Sequence, residues 1–154
     1  MDSSSTVLEL ANNLSNINNL TVVTNGVQAL EKLSNYNKTA AYCCSGKIRE
    51  NTKSLVGISA INYINDNFAD MAFISCRGIT SDGILTDSSE EEIEVKRAFL
   101  KNAKKRVLID SEKFEKQYFK KVADLSYLNI IITDTLPSED FLSKCDLYGV
   151  KVIC

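Results

Sequence analysis

The chain has 154 residues, 44% of them apolar and 25% charged, with a formal charge of -2 and a pI near 5.2. These are the proportions of one soluble globular domain, large enough to bury about two thirds of its unfolded surface, and the acidic balance excludes a chain that grips a nucleic-acid backbone by itself, which needs a concentrated basic face. With no histidine and with five cysteines in no C-x-x-C pair, a mixed zinc site and every Ser-His or Cys-His nucleophile are excluded as well.

The thiols read as reduced and cytosolic, with Cys43, Cys44 and Cys76 as small buried hydrophobes. Met1-Asp2 offers no basic start for a signal peptide, and no apolar run reaches the roughly 18 to 20 residues of a membrane helix. The expectation is a soluble cytoplasmic protein with no membrane partner.

Asp2-Ser3-Ser4-Ser5-Thr6 precedes the helical spacing Val7, Leu8, Leu10, Ala11, Leu14. Small hydroxyl residues at a helix start leave backbone N–H groups open at the positive end of the dipole, so the stretch reads either as an ordinary N-cap or as an anion site. Leu20-Thr21-Val22-Val23-Thr24 is a β-branched strand. Asn25-Gly26 turns it into a helix carrying Val27, Leu30 and Leu33, a βα unit whose turn lies at the ligand-collecting carboxyl edge of a parallel sheet.

Thr39 to Cys44 is the next strand. Ser45-Gly46 closes it, and the polar stretch from Lys47 to Ser54 reads as a loop, either solvated or carrying Lys47, Arg49 and Lys53 near an anion. Ile58, Ile61, Ile64 and Phe68 predict the apolar face of a helix ending near Asn67. Met71 to Ser75 predicts a strand buried on both faces, and Ile84 to Thr86 a brief extended piece.

Ser88 or Ser89 caps a long helix with Glu90, Glu91 and Glu92 in its first turn and Lys101, Lys104 and Lys105 at its end. Glu92 and Lys96, four apart, read as a surface pair contributing about 0.3 to 0.5 kcal/mol. Arg106 to Asp110 and Leu128 to Thr133 are strands. Pro137 suits the first position of a final helix over 138–148 with Phe141, Leu142, Cys145 and Leu147 on its apolar side, and Gly149 leads into a last strand over 150–154. Strands and helices alternate throughout, which predicts a single α/β domain with a mostly parallel sheet flanked by helices.

Several stretches then agree with one family. Asp2-Ser3-Ser4-Ser5-Thr6, Val22-Val23-Thr24-Asn25, Ser45-Gly46-Lys47-Ile48-Arg49, Ser54-Leu55-Val56-Gly57, Gly78-Ile79, Glu91 to Ala98 and Asp110-Ser111-Glu112-Lys113-Phe114 stand in order along the chain. On them the sequence resembles the C-terminal effector-sensing domain of DeoR/GlpR-family bacterial transcriptional repressors. The resemblance implies a fold similar to ribose-5-phosphate isomerase, glucosamine-6-phosphate deaminase and the CoA transferases, used for binding and not turnover.

It further implies a phosphorylated sugar or similar small anionic metabolite as partner, no cofactor and no metal, and a homo-oligomer, dimer or tetramer. DNA would be contacted only through an N-terminal winged helix-turn-helix that this stretch lacks. The implied phosphate site is Ser3, Ser4, Ser5 and Thr6 with Lys96 and Arg49. Asp2, Asn25, Gly46, Gly78, Glu91, Glu92 and Asp110 would contact the polyol or order the site.

Two departures stand out. Ser4 replaces the family's glycine, and Arg77 in Ser75-Cys76-Arg77-Gly78-Ile79 replaces a pocket carboxylate, which would favour a more anionic effector if Arg77 faces it. Two rival functions are an isomerase using Glu91 or Glu92 with Lys96, and an oligomerisation domain that binds nothing.

Overall fold

The computed structural model describes residues 1–110 and 113–154, with Asp110 described as backbone only. Four strands form an all-parallel sheet in the order β11-β10-β8-β5, namely Lys151–Ile153, Ile130–Thr133, Ala103–Asp110 and Ala69–Ile74. Beside it lies a parallel pair, β1 (Leu20–Thr24) and β2 (Thr39–Cys43). Met1 and Asp2 tie the two together: the Met1 amine donates to Val23 O at 2.7 Å and the Asp2 amide to Phe73 O at 3.0 Å. Asp2 is thereby fixed where the carboxyl ends of β1 and β5 meet.

The helices are α1 (Ser5–Asn12), α2 (Val27–Leu33), α3 (Ile58–Asn65), α4 (Glu90–Lys101) and α5 (Glu139–Tyr148). Ser4, Ser89 and Ser138 cap α1, α4 and α5 by accepting an amide hydrogen in the first turn. One core cluster joins α3, α4 and α5 to the four-stranded sheet through Ile64, Ile74, Leu100, Leu108, Ile131 and Phe141. A second holds α1 and α2 against β1 through Val7, Ala11, Val22 and Leu33. The α/β reading with a parallel sheet flanked by helices is what the molecule shows.

Several expectations change. The polar stretch is no loop: β3 (Lys47–Arg49) and β4 (Ser54–Val56) make an antiparallel hairpin. β6 (Gly78–Ile79), β7 (Ile84–Asp87) and β9 (Lys120–Asp124) form a small antiparallel sheet whose last strand the sequence pattern does not reveal. Phe68, at 91% exposure, lies beyond α3, whose buried residues are Ala60 and Ile64; Ile58 is exposed too.

β5 is buried only in its second half, where the amino-terminal segment lies against it through the Asp2 amide on Phe73 O. Helix α4 stops at Lys101, so Lys104 and Lys105 stand in β8 and do not serve the helix end. In α5 the face is set by Phe141 and Cys145; Leu147, two residues further and so about 200° round the helix, is 76% exposed. Pro137 precedes the Ser138 cap and lies outside the helix.

Candidate functional site

The carboxyl edge of the sheet gathers a buried polar cluster from five segments. Ser4 begins α1 with extended backbone and its Oγ accepts from the Val7 amide at 3.2 Å. Asp2 folds back on the same turn, its Oδ1 accepting from the Ser4 amide at 3.1 Å and the Ser4 hydroxyl at 2.7 Å. Its Oδ2 accepts from the Ser75 amide at the end of β5, at 3.0 Å. The groups of Ser4 that suggested a phosphate cradle are thus already engaged by Asp2. The amides of Ser5 and Thr6 have no acceptor among the described residues.

Lys96 is 6% exposed and reaches this carboxylate from α4, with Nζ 3.7 Å from Asp2 Oδ2 and donating to Asp87 Oδ2 at 2.7 Å. Burial opposes charge on Lys96, yet Asp2 and Asp87 outweigh it and hold its pKa above the usual lysine value. Asp87 is likewise penalised by burial, but Lys96, the Ser88 amide and Arg77 keep it below the usual carboxylate range.

The pH consequences have opposite signs. Asp87, with its folded value lowered, contributes stability that is present above its unfolded value near 3.9 and is lost as pH falls through the folded one. Lys96, with its value raised, contributes stability present below about 10.4 and lost as pH rises through its folded value. Urea unfolding followed from pH 2 to 12 should show both limbs, with Lys96→Met flattening them.

Glu92, 5% exposed, is the second hub. Its Oε1 accepts from Arg49 Nη1 at 3.2 Å, from Thr52 Oγ1 at 3.0 Å and from the Ser54 hydroxyl, while Oε2 accepts from Ser3 Oγ at 3.3 Å. Glu92 and Lys96 do not pair with each other, so the surface pair expected from their spacing is corrected: each is buried and held by a different partner. Glu91 is half exposed and meets Arg49 Nε at 3.4 Å.

Asn25 completes the edge. Fully buried, it donates from Nδ2 to Leu55 O at 3.1 Å and to Ser3 Oγ at 3.5 Å, and its Oδ1 has no donor among the described residues. Next to it, Gly26 lets Ser3 approach: a Cβ there would stand 3.1 Å from Ser3 Cα. The space over Asp2, Ser3, Ser4, Gly26, Thr52 and Lys53 is about 10 Å³, room for about one water.

The remaining expected residues lie around this cluster. Arg77 is largely exposed and pairs with Asp87 at 3.4 Å. Gly46 lies at the base of the hairpin with φ +145° against the Val56 carbonyl. Gly78 is buried where the Lys116 carbonyl passes, and its own carbonyl accepts from Thr86 Oγ1 at 3.0 Å. The side chain of Asp110, and Ser111 and Glu112, lie outside the described residues.

Missed in the sequence were Thr52, Ser54, Ser75, Asp87 and Lys113. Asp87 carried one signal, a carboxylate closing an extended piece just before a helix. Lys113 donates to Ser75 Oγ at 2.7 Å and reaches Thr6 Oγ1 at 3.4 Å. Among the described residues no group of His, Cys, Asp and Glu could hold a metal ion, and no helix is long and apolar enough to cross a membrane.

The model of the DeoR C terminal sensor domain matches residues 1–135. Over 154 residues the chain is 32% identical to the HTH-type transcriptional repressor GlcR of Bacillus subtilis, covering 99% of this chain and 59% of that protein. It is 30% identical to the HTH-type transcriptional regulator GolR of Listeria innocua, over 99% of this chain and 60% of that one. With the glycerol-3-phosphate regulon repressor of Escherichia coli it shares 25% identity, over 89% of this chain and 55% of that one. The chain thus spans little more than half the length of these relatives. A matching stretch of this extent, on a parallel sheet with its polar cluster at the carboxyl edge, means that the chain belongs to the DeoR C-terminal sensor domain family.

Proposed function

We propose that this domain is the effector-sensing part of a transcriptional repressor of sugar metabolism, and that its effector is a phosphorylated sugar or a related small anionic metabolite. The observation that carries the reading is the open amide pair of Ser5 and Thr6 at the start of α1, set at the carboxyl edge of the sheet. A helix start of this kind favours an anion. One relative is a glycerol-3-phosphate regulon repressor, which agrees with that chemistry. DNA binding would belong to a helix-turn-helix in the part of the relatives that this chain does not span.

Binding without turnover is the reading that Glu92 favours. Both its oxygens are taken by protein donors, so it is poorly placed to shuttle a proton. The narrow space beside Ser3 and Ser4 also suits a sensor. An effector that extended into this space would displace the Thr52-Lys53 turn, which lines it and is tied to Glu92, and differential affinity for two arrangements of a turn is what shifts a regulator's populations.

Thermal melting with glycerol 3-phosphate, glucose 6-phosphate and related phosphomonoesters tests the proposal. At a hundredfold above its dissociation constant a true effector adds about 2.7 kcal/mol, a rise of about 5 to 10 °C for a domain of this size. Conversion of the sugar phosphate on prolonged incubation would favour the isomerase instead. No shift with any phosphomonoester would leave a domain that binds none of them.

A further inference from the structure

A second concavity shares no lining residue with the polar cluster. It lies between the last turn of α4, β9 and the 3-10 turn Leu125–Tyr127, with a volume of about 380 Å³ against about 10 Å³ over Asp2 and Ser3. Its floor is apolar, with Leu100 at 1% and Val122 at 3% exposure and the Tyr127 ring as one wall. Three cations, Arg97, Lys101 and Lys121, stand around it against one carboxylate, Asp124. We propose that this cavity binds a small amphipathic carboxylate, an apolar body carrying one negative group, at a site separate from the effector's. At about 30 Å³ for each atom-sized group, the space accommodates about a dozen heavy atoms.

Two arginines hold the walls in place before any ligand arrives. Arg97 donates from Nε to Val122 O at 3.1 Å and from Nη2 to Lys121 O at 2.7 Å, tying α4 to β9. Arg106 donates from Nε to Leu100 O at 2.9 Å, and its guanidinium lies 4.2 Å from the centre of the Tyr127 ring. The end of α4 and the aromatic wall are therefore fixed to one another.

Charge decides the sign of the ligand. The negative end of a helix opposes an anion, but here Leu100 O is met by Arg106 and Ala98 O by the Asn102 carboxamide at 2.9 Å. Lys121 is held by Asp124 at 2.6 Å, whereas Lys101, exposed at the last position of α4, has no carboxylate partner among the described residues. Its ammonium is free to meet one. Pockets of this size take the ligand's body by apolar burial and orient it with a few polar groups. A polyol phosphate is disfavoured, because its hydroxyls would be buried against Leu100 and Val122 without acceptors.

Amide chemical-shift mapping by NMR on the whole 154-residue chain, titrated with decanoate, naphthoate and the neutral naphthylmethanol, tests this. Both carboxylates should move the amides of Leu100, Lys101, Val122, Ala123 and Tyr127, and naphthoate should bind about tenfold more tightly than naphthylmethanol, which has the same rings without the charge. Lys101→Glu should weaken both carboxylates about tenfold and leave naphthylmethanol unchanged, a pattern that a folding defect does not give. Carboxylate binding by Lys101→Glu within about twofold of wild type overturns the proposal. So do shifts centred on other residues, or none with either carboxylate, and each of these outcomes leaves the sensor reading standing because the effector residues are elsewhere. Movement of the same amides on raising the protein concentration without ligand would place a second copy in the cavity, which overturns it too.

Discussion

Replacing Lys96 by methionine is expected to cost the fold about 3 to 5 kcal/mol, the usual result of removing one partner from a buried ion pair. Methionine fills nearly the same volume, so the loss does not come from a cavity. It comes from Asp2 and Asp87, two buried carboxylates left without the ammonium that lies 3.7 and 2.7 Å from them. For a domain of this size the melting point should fall by about 10 °C. The double variant Lys96→Met with Asp87→Asn should recover part of the loss, because it removes a carboxylate together with its cation. A single variant within about 1 kcal/mol of wild type would mean that water screens the cluster after all.

Glu92→Ala is expected to cost about 2 to 4 kcal/mol in urea unfolding. The carboxylate is the common acceptor of Ser3, Arg49, Thr52 and Ser54, and Ser54 is fully buried, so its hydroxyl would lose this acceptor out of reach of solvent. Arg49 is held over α4 by Glu91 and Glu92, so it should loosen when the hub is removed. Glu92→Gln keeps an acceptor oxygen but not the charge, and its cost should be nearer 1 to 2 kcal/mol. Equal losses for the two variants would show that the charge on Glu92 contributes little.

Much of the fold was legible because it is local. β1 was read over Leu20–Thr24 with the bounds it has, since a β-branched run between two Asn-containing turns has few other solutions. A cap at Ser88 or Ser89 with three following glutamates marked the start of α4 for the same reason, and Ser89 is the residue that caps it. What was illegible depends on distant partners. β9, Lys120–Asp124, buries only Val122 and is a strand because β7 pairs with it. The strands Lys47–Arg49 and Ser54–Val56 are only three residues each, too short for alternation to mark them, and the hairpin too exists by pairing. Lys104 and Lys105 continue a helical charge pattern, yet the register of β8 against β5, Ala69 with Ala103 and Met71 with Lys105, draws them into the sheet.

Of the buried polar cluster, part was legible in the sequence: Asp2, Ser3, Ser4, Asn25, Arg49, Glu92 and Lys96 do meet at one edge of the sheet, whereas Thr52, Ser54, Ser75 and Asp87 did not stand out. Tertiary structure alone decided who partners whom. On an isolated helix Glu92 and Lys96 would attract each other by about 0.3 to 0.5 kcal/mol. In the folded domain that small preference is overridden, because a buried charge must be met by whatever donors or counter-ions reach it or pay several kcal/mol in desolvation. Arg49, Thr52, Ser54 and Ser3 reach Glu92, and Asp2 and Asp87 reach Lys96. Apart from Asp87, nine residues before Lys96, these partners come from segments far apart in the chain, and no spacing within the sequence encodes that meeting.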